Sequence, residues 1–251
     1  MNSRMEGRAK RYRFQLNPDS DWFVYSIFNS EESHRLLFEF LENRPELDYV
    51  FRDNWRTLSA KITLGNEALL LKVPRARNAR RWEQLLTLFR VSDAVRSFQH
   101  LEKMSSMGLP APEPFIACEK RRLGVVNDAF VCYRFVDGRR AESQDAGIVL
   151  DALRKLHGLG YVRNDAQLAN FLIQEGAAVF IDFRLKKLWL FQELKKAREI
   201  ARFLRSCPEA RRLLTTSEIS SFWFRLAHRL EELSFAGRRF KRSIRKRKKV
   251  E

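Results

Sequence analysis

Apolar and polar residues alternate in DYVFR (48–52) and again through SAKITLGN and EALLLKV. β-Branched content and the central Gly65-Asn66 predict two strands joined by a hairpin turn, the second ending around Lys72. From Ala79 to Met107 the period changes to a helical one. Trp82, Leu85, Leu86, Leu88 and Phe89 are followed by Val91, Ala94, Val95, Phe98, Leu101 and Met104, with Ser92-Asp93 as a point of division into two helices. Gly108, Pro110 and Pro112 stop that stretch, and the runs PFIACEK, LGVVN and AFVCYRFV then predict a strand meander. A helix is expected over 143–159, closing at Gly158 or Gly160, then a hairpin of FLIQ and AVFIDF around Glu175-Gly176, then helices over 188–235. Near the start, Trp22, Phe23 and Tyr25 suggest short strands or loops, and Ser30 caps a helix over 31–43.

Strands with one long helical stretch first, and helices with a small hairpin second, make an α+β chain of two lobes. The expected organisation is an N-terminal extension over 1–45, a strand-rich lobe over 46–136, a mainly helical lobe over 137–237 and a basic tail over 238–251. With 251 residues and 45% hydrophobic composition there is enough apolar material for such a core. No apolar run approaches the length of a membrane span, and the opening MNSRMEGRAKRYRFQ has no apolar secretory segment, so a cytoplasmic location is expected. Cys118, Cys132 and Cys207 are too dispersed for a zinc site and read as reduced packing residues.

Charge changes the picture. The net charge of +17 implies attraction to a polyanion, and RRFKRSIRKRKK (238–249) alone holds nine cations and no acid. Such a tail, with Phe240 and Ile244 among its cations, suits an anionic membrane surface. No helix-turn-helix, zinc finger or RNP-type segment accompanies it, so no specific nucleic acid is expected.

Phosphoryl transfer from ATP needs a cation on the phosphates, oxygen ligands for Mg²⁺ and a carboxylate that positions the acceptor hydroxyl. Lys72 ends an apolar strand. In YVRNDAQLANFLI, Asp165 and Asn170 stand five apart between a helix and a strand, the spacing of a kinase catalytic loop. Asp182 follows in VFIDF at the end of a hairpin strand, in the place of the metal-binding aspartate of D-F-G. The expectation is therefore a two-lobed protein-kinase-like fold.

The stretch from about Leu69 to Leu185 resembles the lipopolysaccharide core kinase family. The resemblance is carried by LLLKVPR, SMGLPAPEPF, CYRFVDG, LHGLGYVRNDAQLANFLI and FIDF, and is nearest to the heptose II kinase type. It implies an ATP- and Mg²⁺-dependent enzyme that phosphorylates a heptose of the lipopolysaccharide inner core at the cytoplasmic face of the inner membrane. Asp165 would orient the sugar hydroxyl, Lys72 would hold the phosphates, and Asn170 and Asp182 would hold metal. Glu102 would be the helix carboxylate paired with Lys72, although the family's acidic position aligns near Ser97. Three departures accompany the likeness: Arg163-Asn164 precede Asp165, Arg184 stands where D-F-G has glycine, and DNWRTLSA replaces a glycine-rich phosphate loop. A Kdo kinase, another small-molecule or protein kinase, and a polyanion-binding pseudokinase remain open.

Overall fold

The computed structural model describes residues 12–15, 21–28, 46–75, 81–163 and 165–233, with four positions between 31 and 41. The expected helix over 31–43 falls largely outside the described residues, and Asn164 and the basic tail fall wholly outside them. The chain divides into two compact units, Met1–Asp137 and Gly138–Glu251.

The first unit is built on a seven-stranded antiparallel sheet. Its strands are β1 (Tyr12–Gln15), β2 (Trp22–Ser26), β3 (Leu47–Asp53), β4 (Leu58–Leu64), β5 (Glu67–Val73), β6 (Pro114–Arg122) and β7 (Val125–Arg134). They lie in the order β1-β2-β6-β7-β5-β4-β3. Gly65, at φ 59°, supplies the left-handed residue that the β4–β5 turn requires, as the sequence predicts. The expected meander is simpler than three strands. LGVVN and AFVCYRFV merge into one long β7, because the reversal at Leu123-Gly124 already returns the chain onto β6.

Alternation splits this sheet into two faces. Val24, Ile62, Leu64, Leu69, Leu71, Cys118, Phe130 and Cys132 form one continuous buried cluster. Full burial of a side chain such as Ile62 or Leu69 contributes about 1.5–3 kcal/mol. The other face presents Ala117, Ala129 and Val131, all buried, and helix α2 (Asp93–Ser106) packs across β6 and β7.

The predicted division at Ser92-Asp93 is present: the Ser92 hydroxyl accepts from Val95 N–H and caps α2. Before it, α1 (Arg81–Leu86) lasts only six residues. The apolar stripe is largely exposed, with Trp82, Leu85, Leu88 and Phe89 all open to solvent. Polar anchoring ends the helix there. Thr87 Oγ1 accepts from Val126 N–H at 2.8 Å, and Arg121 Nη1 donates to the Thr87 carbonyl at 2.9 Å. Arg121 Nε in turn donates to the fully buried Glu119 at 2.8 Å, and Glu119 also accepts from Ser92 N–H at 2.8 Å. One satisfied buried carboxylate thus ties the start of α2 to β6.

The second unit opens on β8 (Arg139–Arg140), then α3 (Ala146–Gly158), β9 (Tyr161–Arg163), β10 (Phe171–Gln174), β11 (Ala177–Phe180) and β12 (Leu185–Lys187). Helices α4 (Gln192–Ser206), α5 (Thr216–Ser220) and α6 (222–233) complete it. The β10–β11 hairpin turns on Glu175 and Gly176, at φ 51° and 76°, the pair of left-handed residues that a tight hairpin demands. Arg139 forks onto Asp145 with two contacts of 2.6 Å and holds that carboxyl below the usual carboxylate range. The expectation of continuous helix from 188 is corrected: residues 188–191 form a non-helical connection before α4. A strand-rich first unit and a mainly helical second unit agree with the α+β expectation.

Candidate active site

In the first unit, Lys72 lies opposite Val131 of β7 and Ser59 of β4. Leu71 joins the buried cluster, so Lys72 alternates onto the other face, the one that α2 covers. Glu102 is half-buried on α2. The two residues therefore share one side of the sheet. Ser97 on the same helix spends its hydroxyl on the carbonyl of Asp93 at 2.9 Å.

The connection between β3 and β4 is a tight turn rather than a glycine-rich loop. Asn54 Oδ1 accepts from the N–H groups of Arg56 (2.9 Å) and Thr57 (3.1 Å), and Arg75 bridges Asp53 and the Asn54 carbonyl. An asparagine side chain thus does locally what glycines do elsewhere: it closes the turn through its own hydrogen bonds.

In the second unit the backbone gathers three of the predicted residues. Asn170 Nδ2 donates to the Asp165 carbonyl at 3.0 Å. Ile181 N–H donates to the Asn170 carbonyl at 3.1 Å, which sets Ile181, the residue before Asp182, against Asn170. Asp182 has φ 49°, a conformation that aspartate tolerates better than most residues, and its side chain is exposed. Asp165 is half-buried, and one of its carboxylate oxygens accepts from Gln167 Nε2 at 2.9 Å. Because the Asn170 amide nitrogen is committed to Asp165, its Oδ1 is left to accept or coordinate. Asn170 Oδ1 with the Asp182 carboxylate is the oxygen donor set that suits a hard cation such as Mg²⁺.

Two residues that hold this arrangement together were not assigned from the sequence. Arg163, noted there only as a departure, is buried to 2% exposure. Its guanidinium donates to the carbonyls of Asp165 (2.6 Å), Asn170 (3.3 Å) and Ile181 (3.4 Å). It also lies over the rings of Phe171 and Phe180, at 4.6 and 5.8 Å from their centroids. Burial pushes its pKa down to about 10, against the opposing pull of Glu199, Asp165 and Asp182. One side chain thus reaches a carbonyl at or beside each of the three predicted residues.

Glu199 on α4 is the second. It is also 2% exposed, and its oxygens accept from Arg163 N–H at 2.9 and 3.1 Å and meet His157 Nε2 at 2.9 Å. A signal for it existed: Glu199 stands four residues before the buried Phe203, a carboxylate on the apolar side of an amphipathic helix. His157 is placed likewise on α3, four residues after the buried Leu153.

No protein-family model matches the chain, and no curated protein matches it. Among solved structures, the chain is similar to WaaP in complex with acyl carrier protein, at 14% identity and a TM-score of 0.44, over 76% of this chain and 85% of that one. It is also similar to the PknI kinase domain of Mycobacterium tuberculosis, at 15% identity and a TM-score of 0.40, over 65% of this chain and 75% of that one.

Proposed function

We propose that this protein is an ATP-dependent kinase that phosphorylates a sugar hydroxyl, a heptose of the lipopolysaccharide inner core. The observation that supports the reading is the hydrogen bond from Ile181 N–H to the Asn170 carbonyl, since Ile181 adjoins Asp182 in sequence and Asn170 is itself tied to Asp165. Base-type and metal-type groups are then held by one rigid scaffold, and positioning is most of what phosphoryl transfer asks of a protein. In this reading Asp165 orients the acceptor hydroxyl and takes its proton, Lys72 binds the nucleotide phosphates, and Glu102 steadies Lys72. Asn170 and Asp182 hold Mg²⁺, which when bound neutralises charge on the phosphates.

Purified protein incubated with ATP and truncated lipopolysaccharide is expected to add one phosphate by mass spectrometry. The Asp165→Ala variant should be slower by about 10²–10⁴-fold, the usual scale for losing a positioned base. Unchanged phosphorylation in that variant would remove Asp165 from its role. Failure to consume ATP with any sugar acceptor would favour a polyanion-binding pseudokinase.

No described helix is long and apolar enough to cross a membrane. The basic tail over 238–251 is proposed to bring the protein to an anionic membrane face that carries the acceptor. Its deletion should weaken binding to anionic vesicles far more than to neutral ones. Equal losses on both would refute an electrostatic role.

A further inference from the structure

Outside the site, the connection between β12 and α4 carries a run of exposed apolar residues. Trp189, Leu190 and Phe191 are 82, 64 and 69% exposed, three large apolar side chains in succession. Their base is fixed. Leu188 is buried and its N–H donates to the Gly160 carbonyl at 2.7 Å, while Lys195 N–H donates to the Phe191 carbonyl at 3.0 Å to start α4. Phe191 itself sits at φ 53°, a left-handed conformation that is costly for a bulky residue, so the backbone does not relax to withdraw the ring. A rigid apolar tip exposed to water needs a reason.

The surrounding charge says what the tip meets. Lys186 and Lys187 precede it and Lys195 follows it, all exposed, and among the described residues none of the three forms an ion pair. Only Lys196 is neutralised, by Glu193 at 2.8 Å. Trp and Phe favour the boundary between headgroups and acyl chains, and lysines on either side favour anionic headgroups.

We infer that Trp189-Leu190-Phe191 is a membrane-inserting finger that seats the second unit on an anionic lipid bilayer. β12 pairs with β9, in the register Leu185 to Arg163 and Lys187 to Tyr161, so the finger and the strand leading into Asp165 belong to one ribbon. That ribbon is three residues long, on the order of 10 Å. Insertion therefore holds Asp165 close to the headgroup plane. The inference does not depend on phosphoryl transfer, because binding is read without nucleotide.

The test uses the full-length chain with vesicles of phosphatidylglycerol and phosphatidylcholine, some carrying bromine on their acyl chains. Bromolipid should quench the wild-type tryptophan fluorescence, and most of that quenching should vanish in Trp189→Phe, which keeps an aromatic tip. The combined Trp189→Ser, Leu190→Ser, Phe191→Ser variant should bind at least about tenfold more weakly, with an unchanged unfolding midpoint because all three side chains are exposed. Equal quenching of wild type and Trp189→Phe, or undiminished binding by the triple variant, overturns the proposal; a finger that stays dry while the protein binds vesicles belongs to a protein partner instead. Replacing Lys186, Lys187 and Lys195 together by glutamine should narrow the preference for anionic over neutral vesicles, and an unaltered preference removes those lysines from the interaction.

Discussion

Glu199→Ala is expected to destabilise the protein by about 2–6 kcal/mol, the sum of two buried groups left without an acceptor at about 1–3 kcal/mol each. The groups are Arg163 N–H and His157 Nε2, both held by the buried Glu199 carboxylate. Removing the side chain also leaves a void beneath β9, which adds to the loss. Urea unfolding at neutral pH checks the size of the effect. A change below about 0.5 kcal/mol, the scale of an ordinary surface substitution, would show that the carboxylate does not hold β9 in place. Glu199→Gln separates charge from shape, since its amide still accepts from Arg163 N–H through one oxygen.

Arg163→Met should act chiefly on the proposed phosphorylation, with a smaller cost in stability. Burial lowers the pKa of Arg163 towards 10, below its value in an unfolded chain, so the charged form is disfavoured by folding. Both states stay protonated at neutral pH. That unfavourable contribution is therefore constant below about pH 10 and fades only as pH climbs above it towards the free guanidinium value. Methionine removes the charge and still packs on Phe171 and Phe180, which offsets part of the cost of the lost hydrogen bonds. What it cannot do is reach three carbonyls. Asp165, Asn170 and Ile181 lose their common anchor, and phosphorylation should fall at least about 10²-fold, the scale of a positional error near 1 Å. Steady-state rates with ATP and a sugar acceptor, alongside urea melts, read both halves. Full activity with an intact fold would sink the positioning role.

The contrast between these residues and the predicted ones shows what the sequence can express. The β4–β5 and β10–β11 hairpins were legible because alternation and glycine at a left-handed position are both local. Asp165, Asn170 and Asp182 could be nominated because their spacing and flanking elements are local as well, and the structure ties the first two by one hydrogen bond. Arg163 and Glu199 lie 36 residues apart, and their bond is made only when α4 packs against β9. Periodicity reports that a charge sits on an apolar face but not which partner neutralises it. The exposed stripe of α1 failed for the converse reason. Helical spacing at Trp82, Leu85 and Phe89 predicted a longer helix, but Thr87 and Arg121 end it at Leu86 through contacts with β6 and β7.

The three thiols carry a practical consequence. Cys118, Cys132 and Cys207 are free and essentially without exposed surface, and burial pushes the first two well above the ordinary thiol range, so none presents its sulfur to solvent. The native chain is therefore chemically silent towards maleimides. A single cysteine introduced at an exposed site, such as Leu123 at the β6–β7 reversal, would be the one labelled position, without first stripping the protein of its own cysteines.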